Sequence, residues 1–111
     1  MDAKHFLFEH IVKANLTGEQ LRVLMCMLSR EYDSVIGMWQ KEIADMLGLA
    51  ESNVSRSIKA LIEARVLSEK VTRGHKDCPI WRLNPLFEKQ AKDHANAMYE
   101  KAHGKPFQPT W

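Results

Sequence analysis

The chain has 111 residues, of which 45% are hydrophobic and 27% charged, and its formal net charge is +2. This length suits one domain with a single core and is too short for two. No apolar run approaches the ~20 residues that span a bilayer, and the first ten residues lack the basic start and apolar stretch of a signal peptide, so we expect a soluble, cytoplasmic protein. Two cysteines, Cys26 and Cys78, do not make a disulfide framework, and we expect both thiols to be reduced.

The N-terminal part of the chain predicts helical structure without a recognisable motif. Residues 4–12 fit either a strand or a helix, and the apolar pattern does not separate the two. Thr17 and Gln20 have the spacing of a capping box, which predicts a helix over about 18–32. The residues expected to form its buried stripe are Leu21, Leu24, Met25 and Leu28. Val23, Cys26 and Met27 extend the apolar surface almost all the way round, so this helix is either central to the core or shared with a second subunit.

After a loop at 33–37 and a very short strand at 38–39, residues 40–65 predict two helices joined by a tight turn. Apolar residues recur at helical spacing on both helices: Ile43, Ala44 and Leu47, then Val54, Ile58, Leu61 and Ile62. Gly48 lies where the chain must turn sharply, and Leu49 is expected to fill the corner. Ala44, Gly48 and Val54 have the relative spacing of a helix-turn-helix, in which the second helix enters the major groove of DNA.

The second of these helices carries a polar ridge that the core does not use. Its members are Ser52, Asn53, Ser55, Arg56 and Lys59. Most polar helix faces are only solvated, but Ser, Asn and Arg stand here where solvated helices usually carry Glu and Lys. Arginine can donate two hydrogen bonds to guanine, and asparagine can pair with adenine. We therefore predict a DNA-binding surface at this ridge.

Residues 66–84 predict a β-hairpin directly after the helix-turn-helix. The strands are expected at 66–72 and 80–83, with a turn around Gly74, and Pro79 limits pairing because it donates no ladder hydrogen bond. A hairpin in this position is typical of the wing of a winged helix, which lies along phosphates or in the minor groove. Its basic residues are Lys70, Arg73, His75 and Lys76. This local patch suits phosphate contact even on a nearly neutral chain.

Asn84 and Pro85 predict the start of a last helix, as its cap and its first helical residue, and Gly104 should end it. Its apolar side comprises Phe87, Ala91, His94 or Ala95, Met98, Tyr99 and Ala102. Together with the first long helix it offers a surface for a homodimer, and the alternative is packing of the two helices within one subunit. Residues 1–103 would then form one domain, mainly α with a small β-hairpin (α+β), and 104–111 a mobile tail.

Three segments resemble two related winged-helix families. The segments are LTGEQLRVLMCML at 16–28, QKEIADMLGLAESNVSRSIKALIEARVL at 40–67 and IWRLNP at 80–85. They are similar to MarR-type regulators and to RepL-type plasmid replication proteins over roughly residues 16–86. The resemblance implies binding of double-stranded DNA through the ridge and the wing residues 73, 75 and 76. In one departure, Ala50 occupies the place where a Ser or Thr commonly caps the recognition helix.

Other functional classes have weaker support in the sequence. His75 and Cys78 have the spacing of metal ligands, and His94 and His103 lie downstream, but without a second matched pair the site would be incomplete. We expect no enzyme, no metal and no cofactor. No GxxxxGK[ST] loop is present, so a replication initiator would need a recruited helicase or polymerase. A protein-interaction module would have no need of Arg56, Lys59 or a basic wing. Repressor and initiator bind a duplex in the same way, and the sequence does not separate them.

Overall fold

Five helices and a three-stranded antiparallel sheet make up residues 3–104, the part of the chain that the computed structural model describes. The helices are α1 Ala3–Lys13, α2 Gly18–Leu28, α3 Gln40–Leu47, α4 Glu51–Glu63 and α5 Leu86–His103. The strands are β1 Val35–Gly37, β2 Thr72–Arg73 and β3 Pro79–Arg82, in the order β1-β3-β2. This confirms the expected fold class, with the very short first strand at a different position from the one predicted. Apart from Gly104, the predicted tail at 104–111 lies outside the described residues.

The helix-turn-helix forms where it was predicted. Gly48 ends α3 with φ of 68°, a left-handed conformation that costs little without a Cβ. The N–H of Leu49 donates to the Ala44 carbonyl at 3.0 Å, which closes the turn. Ile43, Ala44 and Val54 are buried, so the two helices pack through the residues that the apolar pattern assigned to them. The outer face of α4 is thereby fixed relative to α3.

The expected boundaries and burial of α2 were partly wrong. The Thr17 capping box is present, with hydrogen bonds of 3.0 and 3.2 Å to Gln20, but the helix ends at Leu28 instead of near residue 32. Leu21 and Met25 are exposed, and the buried residues are Val23, Leu24, Cys26 and Met27. Helix α2 packs against both α3 and α4, so its buried residues are the ones that face these two helices. A helix that is apolar all round does not itself specify that face.

The first strand of the sheet lies earlier than expected, and residues 4–12 belong to a helix. Val35 to Gly37, predicted as loop, pair antiparallel with β3, and Ile36 is opposite Trp81. Met38 and Trp39, predicted as a strand, connect β1 to α3, although the Met38 N–H still donates to the Pro79 carbonyl at 3.3 Å. A three-residue strand gives too short an alternation for its position to be assigned from sequence.

The wing hairpin is shorter than expected because Val66 and Leu67 are not in its first strand. Their N–H groups donate to the Leu61 carbonyl at 3.0 and 3.3 Å, which wraps the chain around the end of α4. Both side chains are buried in the core. Thr72 and Arg73 pair with β3, opposite Ile80 and Pro79, and Leu67 forms an isolated antiparallel bridge with Leu83. The Ser68 N–H also donates to the Arg82 carbonyl at 2.8 Å. Trp81 in β3 and Leu83, which directly follows β3, are both buried, as predicted.

Helix α5 packs on α1 within the same subunit. Phe6 contacts His94 and His10 contacts Phe87, with ring centroids 6.1 and 5.5 Å apart, so the two helices run antiparallel. The Asn84 Oδ1 accepts from the N–H of Leu86 at 3.0 Å, so Asn84 caps the helix in the role predicted for it. None of the described helices is both long and apolar enough to cross a membrane.

Candidate nucleic-acid interface

The polar ridge of α4 lies on the surface of the molecule. Ser52, Ser55, Arg56 and Lys59 are exposed and Asn53 is partly buried, while Val54, Ile58 and Leu61 on the opposite side are in the core. Ser57 is the one polar residue of this helix that is buried. The division follows from the 3.6-residue period of the helix, which places the ridge and the core stripe on different faces. The ridge is therefore available to a partner as a continuous surface.

Arg56 and Asn53 are joined by a hydrogen bond. The Arg56 Nη2 donates to the Asn53 Oδ1, one helical turn away on the same face. An exposed arginine has much rotamer freedom, and this bond restricts it before any ligand arrives. The guanidinium keeps further N–H groups free, since it carries five donors. It can thus still bind an acceptor that approaches α4 from solvent.

A cleft of about 280 Å³ connects the recognition helix with the wing. Ser55 and Lys59 of α4 line one side and Arg73 of β2 lines the other, with Gln40 at the start of α3. Within residues 3–104, neither Lys59 nor Arg73 forms an ion pair. Two unpaired cations from different elements thus face one depression, an arrangement suited to the phosphate backbone of a nucleic acid.

The tip of the wing is a single 3₁₀ turn at His75–Asp77, in which Lys76 has φ of 55°. His75 and Lys76 are exposed, as is Asp77, which places one acidic side chain beside the two basic ones. Gly74 is not itself left-handed. A Cβ there would lie 2.6 Å from Ile80 Cδ1, so the end of the Ile80 side chain would have to shift to make room for it.

Lys70 lies apart from the other predicted wing residues. It lines a second cleft, of about 460 Å³, together with Arg65, Ser68 and Asn84. Arg65 follows the recognition helix with φ of 62° and is exposed. The structure therefore groups Arg73 with α4 and places Lys70 near the carboxyl end of that helix instead.

The first turn of α4 has no side-chain cap. Ala50 precedes the helix in an extended conformation, and its side chain accepts no hydrogen bond. The Ala50 carbonyl does accept from the N–H groups of Asn53 and Val54 at 3.0 and 3.2 Å. The helix start thus departs from the usual Ser or Thr cap, as the sequence indicated.

The sulfur and imidazole groups of the wing do not form a metal centre in the described part of the chain. Among residues 3–104, no group of three or more His, Cys, Asp or Glu side chains is arranged to hold a metal ion. Cys78 is partly buried at the base of the wing, and its Sγ lies 3.7 Å from the Pro79 carbonyl oxygen. His103, named above as a downstream histidine, has no described side chain.

Three solved structures are similar to this chain in fold. The adhesin competence repressor AdcR of Streptococcus pyogenes is 21% identical, with a TM-score of 0.52 over 81% of this chain and 61% of that one. ZitR, a zinc-responsive MarR family member of Lactococcus lactis, is 27% identical, with a TM-score of 0.51 over 79% of this chain and 56% of that one. The MepR–DNA complex of S. aureus is 17% identical, with a TM-score of 0.54 over 91% of this chain and 79% of that one.

In fold, the chain is a winged helix-turn-helix, similar to that of the MarR family member ZitR. It spans about three fifths of the length of AdcR and ZitR. No family model matches the sequence, and no curated protein does so either.

Two residues of this winged helix were not predicted as part of the interface. Gln40 lines the cleft beside Lys59 and Arg73, and Arg65 accompanies Lys70. Gln40 is the first residue of α3, and the free backbone N–H groups at the start of a helix favour negative charge. No other feature of the sequence indicated that Gln40 would lie at this surface. Arg65 carried no signal, because its exposure depends on how the chain leaves α4.

Proposed function

We propose that the protein binds double-stranded DNA sequence-specifically as a transcriptional regulator, with α4 in the major groove and the wing along the backbone. The observation that carries the proposal is the cleft in which Lys59 of α4 and Arg73 of the wing lie without ion-pair partners among residues 3–104. A solvated helix face has no need of a second cationic element beside it. The MepR–DNA complex, whose fold this chain shares, supports the same use of the surface.

The proposed contacts divide into two sets. Ser52, Asn53, Ser55 and Arg56 would approach base edges, since they lie on the exposed face of α4. The residues proposed to contact phosphates are Lys59, Lys70, Arg73, His75 and Lys76. The uncapped N–H groups after Ala50 would add a favourable site for one phosphate oxygen. Base contacts then give specificity, and phosphate contacts give most of the affinity.

A homodimer is part of the proposal. Phe8 and Val12 of α1 are four residues apart on one helix face and are 49% and 84% exposed, and Met98 of α5 is 53% exposed. A second copy that covers these apolar side chains would also double the contacts with a symmetric DNA site. The packing of α5 on α1 within the subunit does not remove this surface, because it buries a different side of α1.

The relatives in fold that carry names are regulators, which favours a regulator over a replication initiator. Footprinting or sequencing of bound genomic fragments separates the two functions. Sites upstream of a promoter support regulation by a nucleoid-associated protein in the cytoplasm. Sites in an origin-like array of repeats support the initiator instead, which would act with replication machinery.

Titration of a fluorescent duplex of random sequence at two salt concentrations tests DNA binding itself. We expect affinity to fall steeply with salt, and the variant Lys59→Ala/Arg73→Ala to have a shallower dependence. Lys89→Ala/Lys92→Ala is the matched control, since it removes two exposed lysines from α5. No binding by the intact protein at low salt would contradict the proposal and favour a protein-interaction module.

A further inference from the structure

The hydrogen bond between Arg56 and Asn53 assigns the two residues different tasks. We propose that Asn53 is a positioning residue, which holds the Arg56 guanidinium toward one guanine in the major groove and does not itself select a base. The inference rests on the proposed DNA-binding function. It refines the set of base-facing residues given above: Asn53 lies beside the base edges but acts there through Arg56, not through a base contact of its own.

The orientation of the Asn53 amide favours this division of tasks, and the bond that orients it leaves most of the Arg56 donors free. Asparagine pairs with adenine through both amide atoms at once, with Oδ1 accepting from N6 and Nδ2 donating to N7. In the structure the Asn53 Oδ1 accepts from Arg56, so its amide plane is oriented by a neighbour on the helix. The guanidinium uses one of five donors for this bond, and a guanine needs only two.

The positions of the two side chains point the same way. Asn53 is partly buried in the first turn of α4, whereas Arg56 is exposed and extends from the next turn. The shorter side chain is therefore the supporting one, and the longer one is free to reach a base edge. Restricting Arg56 before DNA arrives also lowers the ordering entropy that binding must otherwise overcome.

The experiment first selects a preferred duplex from a random library with the intact protein. Affinities of the wild type, Asn53→Ala, Arg56→Ala and the double variant are then measured for that duplex and for each single base-pair change, at fixed salt. We expect Arg56→Ala to lose about 5- to 150-fold discrimination at one guanine. Asn53→Ala should weaken discrimination at the same guanine, and the double variant should be no worse than Arg56→Ala alone.

Two further measurements distinguish positioning from a general structural effect. Replacing that guanine by 7-deazaguanine, which lacks the N7 acceptor, should weaken binding by the wild type and leave Arg56→Ala unchanged. Asn53→Asp keeps an acceptor oxygen and should retain the guanine preference, although its negative charge lowers affinity for all sequences. Glu63→Ala, an exposed change at the end of the same helix, should leave preference at that guanine unchanged. Circular dichroism checks that each variant is folded.

The outcomes separate this inference from the function on which it rests. If Asn53→Ala relaxes a different base pair and its effect adds to that of Arg56→Ala, Asn53 contacts a base and the positioning role is wrong, while DNA binding stands. Loss of guanine preference in Asn53→Asp also overturns the role. If the wild type shows no salt-dependent binding to any duplex, the DNA-binding function is overturned and the role of Asn53 with it.

Discussion

The imidazole Nε2 of His10 lies 2.7 Å from the carbonyl oxygen of Ala64, so helix α1 contacts the carboxyl end of the recognition helix. The last carbonyls of a helix have no partner within it, and His10 supplies a donor for one of them. On the other side, the Asn84 Nδ2 donates to the Arg65 carbonyl at 2.9 Å. Helix α1 and the cap of α5 thus hold the end of α4 through two side-chain hydrogen bonds.

His10→Ala should lower the free energy of unfolding by about 1–3 kcal/mol, because it leaves a partly buried carbonyl without its donor. His10→Gln should recover part of the loss, since a glutamine amide can reach a similar position. Urea denaturation measures both. Lys13→Ala, an exposed change on the same helix, should alter stability by no more than about 0.5 kcal/mol. Equal stability of His10→Ala and the wild type would show that the bond contributes little.

The double variant Arg73→Ala/Lys76→Ala should bind all duplexes more weakly by a similar factor. Each lost phosphate contact should reduce the slope of log affinity against log salt by about one. Selectivity among sequences should change little, because phosphates carry no base information. Fluorescence titrations at several salt concentrations give the slope. A slope identical to that of the wild type would exclude the wing from the interface.

The two thiols should differ in reactivity. Cys26 is buried, which raises its pKa; nearby Glu42 also raises it, while Arg30 opposes the shift. Cys78 is only partly buried. Each thiol can be measured alone: Cys78 in the variant Cys26→Ser, and Cys26 in the variant Cys78→Ser. In native protein at pH 8, we expect a colorimetric disulfide reagent to modify Cys78 faster than Cys26, because only the thiolate attacks. The rates should converge in denaturant, and a faster Cys26 in the native protein would contradict its burial.

The same pKa shift predicts a pH dependence of stability. Because the folded state favours the protonated Cys26 thiol, its contribution to stability is fully present below the unfolded pKa of about 8.5 and decreases as pH rises through the folded pKa. The stability difference between the wild type and Cys26→Ala should therefore shrink above that pH. Denaturation curves from pH 7 to pH 10 measure it, with Cys78→Ala as the control. A constant difference over this range would contradict the shift.

Features that depend on neighbouring residues could be predicted from the sequence. The capping box at Thr17 and Gln20 and the left-handed turn at Gly48 require a few side chains at fixed spacing, so the local chemistry specifies them. The same holds for the ridge of α4, whose exposure follows from the apolar stripe on its other face.

Features that depend on distant partners could not be predicted in this way. Met25, expected to be buried, is 61% exposed because α3 and α4 contact another side of α2. Val66 and Leu67 have the composition of a strand, yet hydrogen bonds to Leu61 hold them at the end of α4. The cleft that brings Arg73 beside Lys59 joins residues 14 apart in sequence through the fold of the wing. The basic residues of α4 and of the wing could be identified from the sequence, but the cleft that they line together could not.

Val12→Glu should convert the proposed homodimer to a monomer without unfolding it. Val12 is 84% exposed in the single subunit, so the added charge meets water in the monomer and apolar surface only in a dimer. We expect light scattering to give twice 12.8 kDa for the wild type at tens of micromolar and 12.8 kDa for the variant. Truncation at Asn84 is a poorer test, because it removes Phe87 from the core.

Tyr32→Glu is the matched control, since Tyr32 is also 84% exposed but lies between α2 and β1. It should leave the mass unchanged, which would assign the effect of Val12→Glu to the α1 face and not to added charge. A dimer that uses this face should also prefer two half-sites about one helical turn of DNA apart, and Val12→Glu should lose that spacing preference before it loses affinity for one half-site. A wild-type mass of 12.8 kDa at these concentrations would exclude a stable dimer in the absence of DNA.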